Sequence, residues 1–118
     1  MNRKVILFIA ASVTGLLFFF FGCGRSDFRP GVKELIDKGA LVVDVRTPQE
    51  FATGHYEGSV NIPLGELESK IELFGDKEKN IIVYCRSGNR SSMAKKILEK
   101  HGYKKVVDGG GLQDMKLK

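Results

Sequence analysis

The chain has 118 residues, of which 42% are hydrophobic and 28% are charged, so it can form one domain around one core but not two. The formal net charge is +5, and from residue 23 onward 17 basic residues stand against 14 acidic ones. So small an excess of basic residues argues against a nucleic-acid partner.

The first 22 residues form a segment of their own. Arg3 and Lys4 precede an uncharged, mainly apolar run from residue 5 to residue 21, which is typical of a secretory signal or a membrane anchor. The run is near the lower limit of roughly 17 residues for a membrane span, so its length fits both interpretations. Gly22-Cys23 follows it and resembles a bacterial lipobox, in which the cysteine is lipidated and becomes the N-terminus. An uncleaved helix that keeps Cys23 unmodified is the alternative.

Both interpretations predict an exported protein that is held at a membrane through its N-terminus and faces the periplasm or the cell exterior. We assign residues 1–22 to the signal or anchor, 23–30 to a linker and 31–118 to the folded domain. Polar and turn-forming residues dominate positions 25–30, as expected of a linker.

The folded domain alternates predicted strands with predicted helices. Apolar runs rich in β-branched residues predict four strands, at residues 41–45, 59–62, 81–84 and 104–107. Helical spacing and end signals predict helices between them, at 30–38, from Pro48 onward, at 64–74 and from about Arg90 to His101. This order predicts an α/β domain with a mostly parallel sheet and helices on both faces. Ligands of such sheets bind beyond the carboxyl ends of the strands.

Cys85 follows directly on the predicted strand 81–84, and a helix begins a few residues later. Loop N–H groups and the positive end of that helix favour a thiolate at this place. Arg86 and Arg90 add positive charge suited to an anionic substrate. The loop is completed by small residues that free the backbone or donate hydrogen bonds, namely Ser87, Gly88, Asn89, Ser91 and Ser92.

The alternative for Cys85 is a small core residue beside an ordinary turn. Cys23 is the only other cysteine. Lipidation of Cys23 would leave Cys85 without a disulfide partner in an oxidising compartment, which favours a chemical role. Two arginines around a glycine within five residues of Cys85 favour that role further.

Three stretches resemble the rhodanese-like family, in particular its small single-domain sulfurtransferases. They are LVVDVR at residues 41–46, GHYEGSVNIP at residues 54–63 and YCRSGNRS at residues 84–91. The likeness extends from about Val32 to Met115. Tyr56 replaces an isoleucine that is usual in the family, and Met115 stands where a tryptophan is frequent.

The resemblance implies a rhodanese-like fold and a sulfurtransferase that works through a persulfide on Cys85. A sulfane sulfur would pass from thiosulfate or a persulfide to a thiol or cyanide acceptor. The small anionic donor would be bound by the loop that follows the nucleophile, formed by Arg86, Ser87, Gly88, Asn89 and Arg90. The resemblance implies neither a metal nor an organic cofactor, and we expect a monomer.

Two polar residues at the end of the neighbouring strand, Asp44 and Arg46, have two interpretations. They would border the pocket or, together with Glu50, hold the loops together through hydrogen bonds. His55 is expected to be structural, because it lies in a connecting loop with no carboxylate clearly aimed at it.

Two other functions remain as alternatives. A cysteine phosphatase or arsenate reductase would use the same thiolate and arginines on a tetrahedral oxyanion. However, four residues separate Cys85 from Arg90, where the related phosphatases have five, and the smaller loop leaves less room for a phosphoryl group. A non-catalytic module would bind a partner or sense redox state through Cys85.

Overall fold

A four-stranded parallel sheet forms the centre of the described region. The computed structural model describes residues 31–117; the signal or anchor, the linker and Cys23 therefore lie outside the described residues. The strands are β1 (Leu41–Asp44), β2 (Val60–Asn61), β3 (Ile81–Cys85) and β4 (Val106–Gly111). Their spatial order is β2-β1-β3-β4, and each neighbouring pair is parallel. The predicted α/β class is thereby confirmed.

Helices connect the strands and cover both faces of the sheet. The α-helices are α1 (Val32–Asp37), α2 (Pro48–Thr53), α3 (Asn89–Lys100) and α4 (Leu112–Leu117). The start of α2 follows the predicted signal, because Thr47 Oγ1 accepts a hydrogen bond from Glu50 N while Glu50 Oε1 accepts one from Thr47 N. Within residues 31–117 every helix is too short or too polar to span a bilayer.

The alternation of side chains along β1 and β3 divides the core into two clusters. One cluster lies on the α3 face and includes Val43, Val83 and Cys85. The other lies on the α1 and α4 face and includes Val42, Tyr84 and Met115. Cys85 therefore points to the same side of the sheet as α3, the helix whose first turn follows the Cys85 loop.

The prediction of a single helix at residues 64–74 is wrong. The segment forms two 3-10 helices, Leu64–Glu66 and Ile71–Phe74, joined by a turn. Leu67 and Phe74 are fully buried, so the two 3-10 helices bury apolar residues that the predicted single helix was also expected to bury. Gly65 disfavours a continuous α-helix. The 3-10 helices, with their i to i+3 hydrogen bonds, are short, so the chain can turn between the buried residues Leu67 and Phe74.

The last strand also differs from its expected position. It begins two residues later than predicted and continues through the three glycines to Gly111, which pairs with Cys85 across an irregular register. Glycine occupies these strand positions because side chains there would collide with neighbouring atoms. A Cβ at position 111 would strike the carbonyl oxygen of Arg86, and one at position 109 would lie 2.5 Å from Met115 Sδ.

Candidate active site

The carboxyl ends of β1 and β3 lie side by side. The pairing of Asp44 with Tyr84 places the residues after each strand at one edge of the sheet. Cys85 is the last residue of β3. The arrangement puts it where parallel α/β sheets bind their ligands.

The Cys85 sulfur is surrounded by hydrogen-bond donors from its own loop. The N–H of Gly88 donates to Sγ at 3.0 Å, and Ser91 Oγ accepts a hydrogen bond from the thiol at 3.5 Å. Burial of the side chain, which is 1% exposed, raises the pKa of the thiol. The Ser91 hydroxyl and the backbone N–H groups of Ser91, Gly88 and Ser87 outweigh this effect, so that the net pKa of Cys85 is lowered. The site thus favours the thiolate.

The loop depends on glycine at the point where α3 begins. Gly88 is the N-cap of α3 and has a φ of 103° in the left-handed region, which residues with a Cβ rarely adopt. This conformation turns its N–H toward the sulfur. Ser91, in the first turn of α3, ties the loop together because its Oγ donates to the carbonyl oxygen of Gly88 at 3.1 Å.

A buried ion pair stiffens the loop after β1. Arg46 Nη2 donates to Asp44 Oδ2 at 2.6 Å and to the carbonyl oxygen of Gly54 at 2.7 Å. Arg46 Nε also donates to both Asp44 oxygens. The hydrogen bond that Arg46 donates to Asp44 is the main cause of a raised Arg46 pKa. Asp44 therefore supports the loop, while Arg46 both supports it and reaches the cavity described below.

A second ion pair joins α2 to the first turn of α3. Arg90 Nη1 and Nη2 donate to Glu50 Oε1 and Oε2 at 2.7 and 3.0 Å. The Arg90 hydrogen bond is the largest of the effects that lower the pKa of Glu50 to about 2. Glu50 remains ionised at any neutral pH.

A cavity of about 450 Å³ lies beside the Cys85 loop. Its lining residues come from the loops after β1 and β3 and from the helices α2 and α4. They are Arg46, Arg86, Glu50, Thr53, Leu112 and Gln113. Arg86 is exposed and has no ion pair within residues 31–117. Arg86 thus places one positive charge in the cavity wall, directly next to Cys85 in the chain.

Only part of the loop predicted to bind the anionic donor, residues 86–90, lines the cavity. Of the residues 86–90, Arg86 alone lines the cavity. Ser87 and Gly88 act on the sulfur through backbone N–H groups. The Asn89 side chain is exposed and makes no hydrogen bond to another described residue. Arg90 is held by Glu50 instead of facing the cavity.

Sequence reasoning missed two contacts. Ser91 was expected to donate hydrogen bonds but not to contact the sulfur, and its position in the first turn after the loop was the available signal. Glu50 stands 40 residues before Arg90, and nothing in the sequence indicated that the two form an ion pair.

His55 contacts the end of α2. It stacks on the Phe51 ring at 3.6 Å between ring centroids, and its Nδ1 lies 2.8 Å from the Phe51 carbonyl oxygen.

Comparison with known proteins agrees with this geometry. The family model of the rhodanese-like domain matches residues 30–115. The chain belongs to the rhodanese-like domain family. Within residues 31–117 of this rhodanese-like chain, no group of three or more His, Cys, Asp or Glu side chains is placed to hold a metal ion.

Relatives of the rhodanese-like chain include enzymes and solved structures. Thiosulfate sulfurtransferase PspE of Escherichia coli is 40% identical over 74 residues, which cover 62% of this chain and 71% of that protein. A mitochondrial protein of Schizosaccharomyces pombe is 40% identical over 82 residues, and the chain spans 58% of its length.

Two solved structures show the same fold. A rhodanese from E. coli, solved with anions, is 39% identical with a TM-score of 0.62, covering 64% of this chain and 91% of that one. The human single-domain sulfurtransferase TSTD1 is 26% identical with a TM-score of 0.65, covering 77% and 98% of the two chains.

Proposed function

We propose that the protein is a thiosulfate sulfurtransferase that carries the transferred sulfur as a persulfide on Cys85. The observation that carries the proposal is the sulfur of Cys85, whose lowered pKa and backbone donors equip it as a nucleophile. The name of the E. coli relative PspE, a thiosulfate sulfurtransferase, supports the choice of donor.

The reaction has two displacement steps at sulfur. The Cys85 thiolate attacks the outer sulfur of thiosulfate, the S–S bond breaks, and sulfite leaves with the bonding electron pair. A thiolate acceptor then attacks the terminal sulfur of the Cys85 persulfide, and the Cys85 thiolate is regenerated. Cyanide as the acceptor would give thiocyanate. The Cys85–sulfur bond therefore forms in the first step and breaks in the second.

The loop is suited to the charge that develops in these steps. The terminal sulfur of a persulfide is an anion, and N–H groups fixed by the fold stabilise such charge without reorganising. Gly88 N already lies 3.0 Å from Sγ. Ser87 and Ser91 contribute further backbone N–H groups around the same atom.

Intact-mass measurement after incubation with thiosulfate tests the proposal. The mass of the reduced protein should rise by one sulfur atom and return to its starting value when cyanide or a thiol is added. Folded, reduced protein that never acquires the adduct would contradict sulfur transfer by this chain.

We propose further that the protein is exported and held at a membrane through its N-terminus. The apolar run before Gly22-Cys23 supports this proposal. The intact mass of protein isolated from membranes tests it. A chain that begins at a lipid-modified Cys23 would indicate the lipoprotein form, and an uncleaved chain would indicate the anchor. Mature protein found only in the cytoplasm would contradict both.

Arg86 is expected to attract the anionic donor. It is the arginine of the cavity that has no carboxylate partner among residues 31–117. Arg86→Ala should raise the KM for thiosulfate roughly twofold to fivefold, with a smaller decrease in kcat, because a charge–charge attraction is lost. The effect should shrink at high salt, which screens exposed charges beyond roughly 8 Å at 0.15 M.

Steady-state kinetics at low and high ionic strength measure this effect. Lys96→Ala removes an exposed charge from α3 and serves as the matched control. A decrease in kcat with an unchanged KM for Arg86→Ala would show that Arg86 does not act in donor attraction.

A further inference from the structure

The Glu50 carboxylate is held from two directions, by Arg90 and by Thr47. Both oxygens of the carboxylate accept from the guanidinium, at 2.7 and 3.0 Å. Oε1 also accepts from the N–H and the hydroxyl of Thr47, each at 3.1 Å. The carboxylate is therefore fixed to the start of α2, and the Arg90 side chain is fixed to the carboxylate. A two-point contact of this kind sets both the distance and the orientation of the guanidinium.

The carboxylate faces the cavity, and the guanidinium does not. Glu50 lines the cavity, whereas Arg90 is not among its lining residues. Arg90 is nevertheless near the nucleophile, since its neighbour in the chain, Ser91, has its Oγ 3.5 Å from Cys85 Sγ. The charge of Cys85 also contributes to the raised pKa of Arg90, after the larger effect of the Glu50 hydrogen bond. An anion that enters the cavity thus meets a negative group where the loop arginine would otherwise be available.

The charges around the site are nearly balanced. Asp44 matches Arg46, and Glu50 matches Arg90. The remaining guanidinium, that of Arg86, is offset when Cys85 is a thiolate. A phosphate or arsenate ion seated over the sulfur would bring further negative charge, with no unpaired guanidinium at that position to receive it. A terminal sulfur atom needs only the loop N–H groups.

We propose that Glu50 is a specificity-determining residue that keeps Arg90 from binding a tetrahedral oxyanion over Cys85 and so reserves the loop for a sulfur atom. The inference rests on the proposed function, because it assumes that a sulfur atom occupies the loop during turnover. Glu50 acts through Arg90 and does not touch the reacting atoms. Thiosulfate escapes the restriction because only its outer sulfur must reach Cys85, while its sulfonate stays near Arg86.

Protection of Cys85 against alkylation provides the test. Glu50→Gln removes the charge but keeps an oxygen that accepts from the Thr47 N–H. The rate of alkylation by iodoacetamide, measured with increasing phosphate, gives the phosphate dissociation constant. We expect phosphate to bind roughly threefold to tenfold more tightly to Glu50→Gln than to the wild type, because one opposing charge is removed and Arg90 is released. In the same variant kcat for thiosulfate should fall while KM does not rise.

Three control variants separate this role from simple support of the fold. Thr47→Ala weakens the cap of α2 but keeps the charge of Glu50, so phosphate affinity should not change. Glu68→Gln removes a carboxylate that pairs with His101 at the far end of α3, and it should also have no effect. In an Arg90→Gln background, Glu50→Gln should strengthen phosphate binding clearly less than it does in the wild type, since only the removal of the Glu50 charge then remains.

The single Arg90→Gln variant provides a second measurement that does not require Glu50→Gln to fold. If Glu50 withdraws Arg90, this variant should bind phosphate as the wild type does, and weakening by more than about threefold would overturn the proposal. Equal phosphate affinity of the wild type and a folded Glu50→Gln would overturn it as well. Failure of the wild type to form a persulfide would refute the proposed function instead, because phosphate protection requires only the thiol.

Discussion

Sulfur transfer by a Cys85→Ser variant is expected to fall by at least about a thousandfold, as for other enzymes that lose their nucleophile. Serine keeps a side-chain atom that can accept from the Gly88 N–H, which lies 3.0 Å from the present sulfur. The fold and the loop should therefore persist. A hydroxyl, however, is almost fully protonated at neutral pH and cannot form a persulfide.

Kinetics and intact mass of the Cys85→Ser variant measure this loss. No sulfur adduct should form with thiosulfate, and thermal unfolding should remain close to that of the wild type. Cys23→Ser is the matched control, since it removes the other cysteine of the chain and should leave transfer by the folded domain unchanged. Transfer by Cys85→Ser above about one tenth of the wild-type rate would place the nucleophile elsewhere.

The strands that carry the site were predictable because their signals are local. Runs such as Ile81–Cys85 are buried on both faces of the sheet, and continuous apolar sequence is what such strands require. The same holds for the capping box at Thr47 and Glu50, which lies within four residues. The position of Cys85 between a strand and a helix follows from these local signals alone.

The 3-10 segment shows where periodicity fails. Apolar residues at positions 64, 67, 71 and 74 fit one face of an α-helix, but they also fit the two 3-10 helices of the structure, which bury Leu67 and Phe74. The choice depends on how far apart the packing partners on the sheet lie, which the sequence of the segment does not contain. The resulting error left the site unaffected, because the apolar residues at these four positions pack into the core on the α3 face and none of them lines the cavity.

The electrostatics of the site were less predictable than its backbone. Five charged residues near the loop were visible in the sequence, at positions 44, 46, 50, 86 and 90. Which of them pair depends on contacts between distant segments, such as Glu50 with Arg90. Within residues 31–117, the pairing leaves Arg86 as the arginine of the cavity without a carboxylate partner. Both arginines of the loop add positive charge, and their different surroundings distinguish them.

Loss of the Asp44 carboxylate should be the most destabilising polar change in the described region. Asp44 is fully buried and Arg46 is 5% exposed, so Asp44→Ala leaves a guanidinium in the interior without its counterion. Breaking a buried pair in this way typically costs about 3–5 kcal/mol. A small domain has a free energy of unfolding of roughly 5–15 kcal/mol, so the variant should be marginally stable at 25 °C.

Urea unfolding of Asp44→Ala and two companions measures the effect. Glu66→Ala breaks an exposed pair with Lys70, in which both side chains are 47% exposed, and should cost less than about 1 kcal/mol. The double variant Asp44→Ala, Arg46→Met removes both charges and should be more stable than Asp44→Ala alone, since no uncompensated charge remains. It loses the hydrogen bond from Arg46 to Gly54, so the recovery should be partial. A cost for Asp44→Ala as small as that for Glu66→Ala would mean that the buried pair contributes little to stability, and that water reaches Arg46 when its partner is removed.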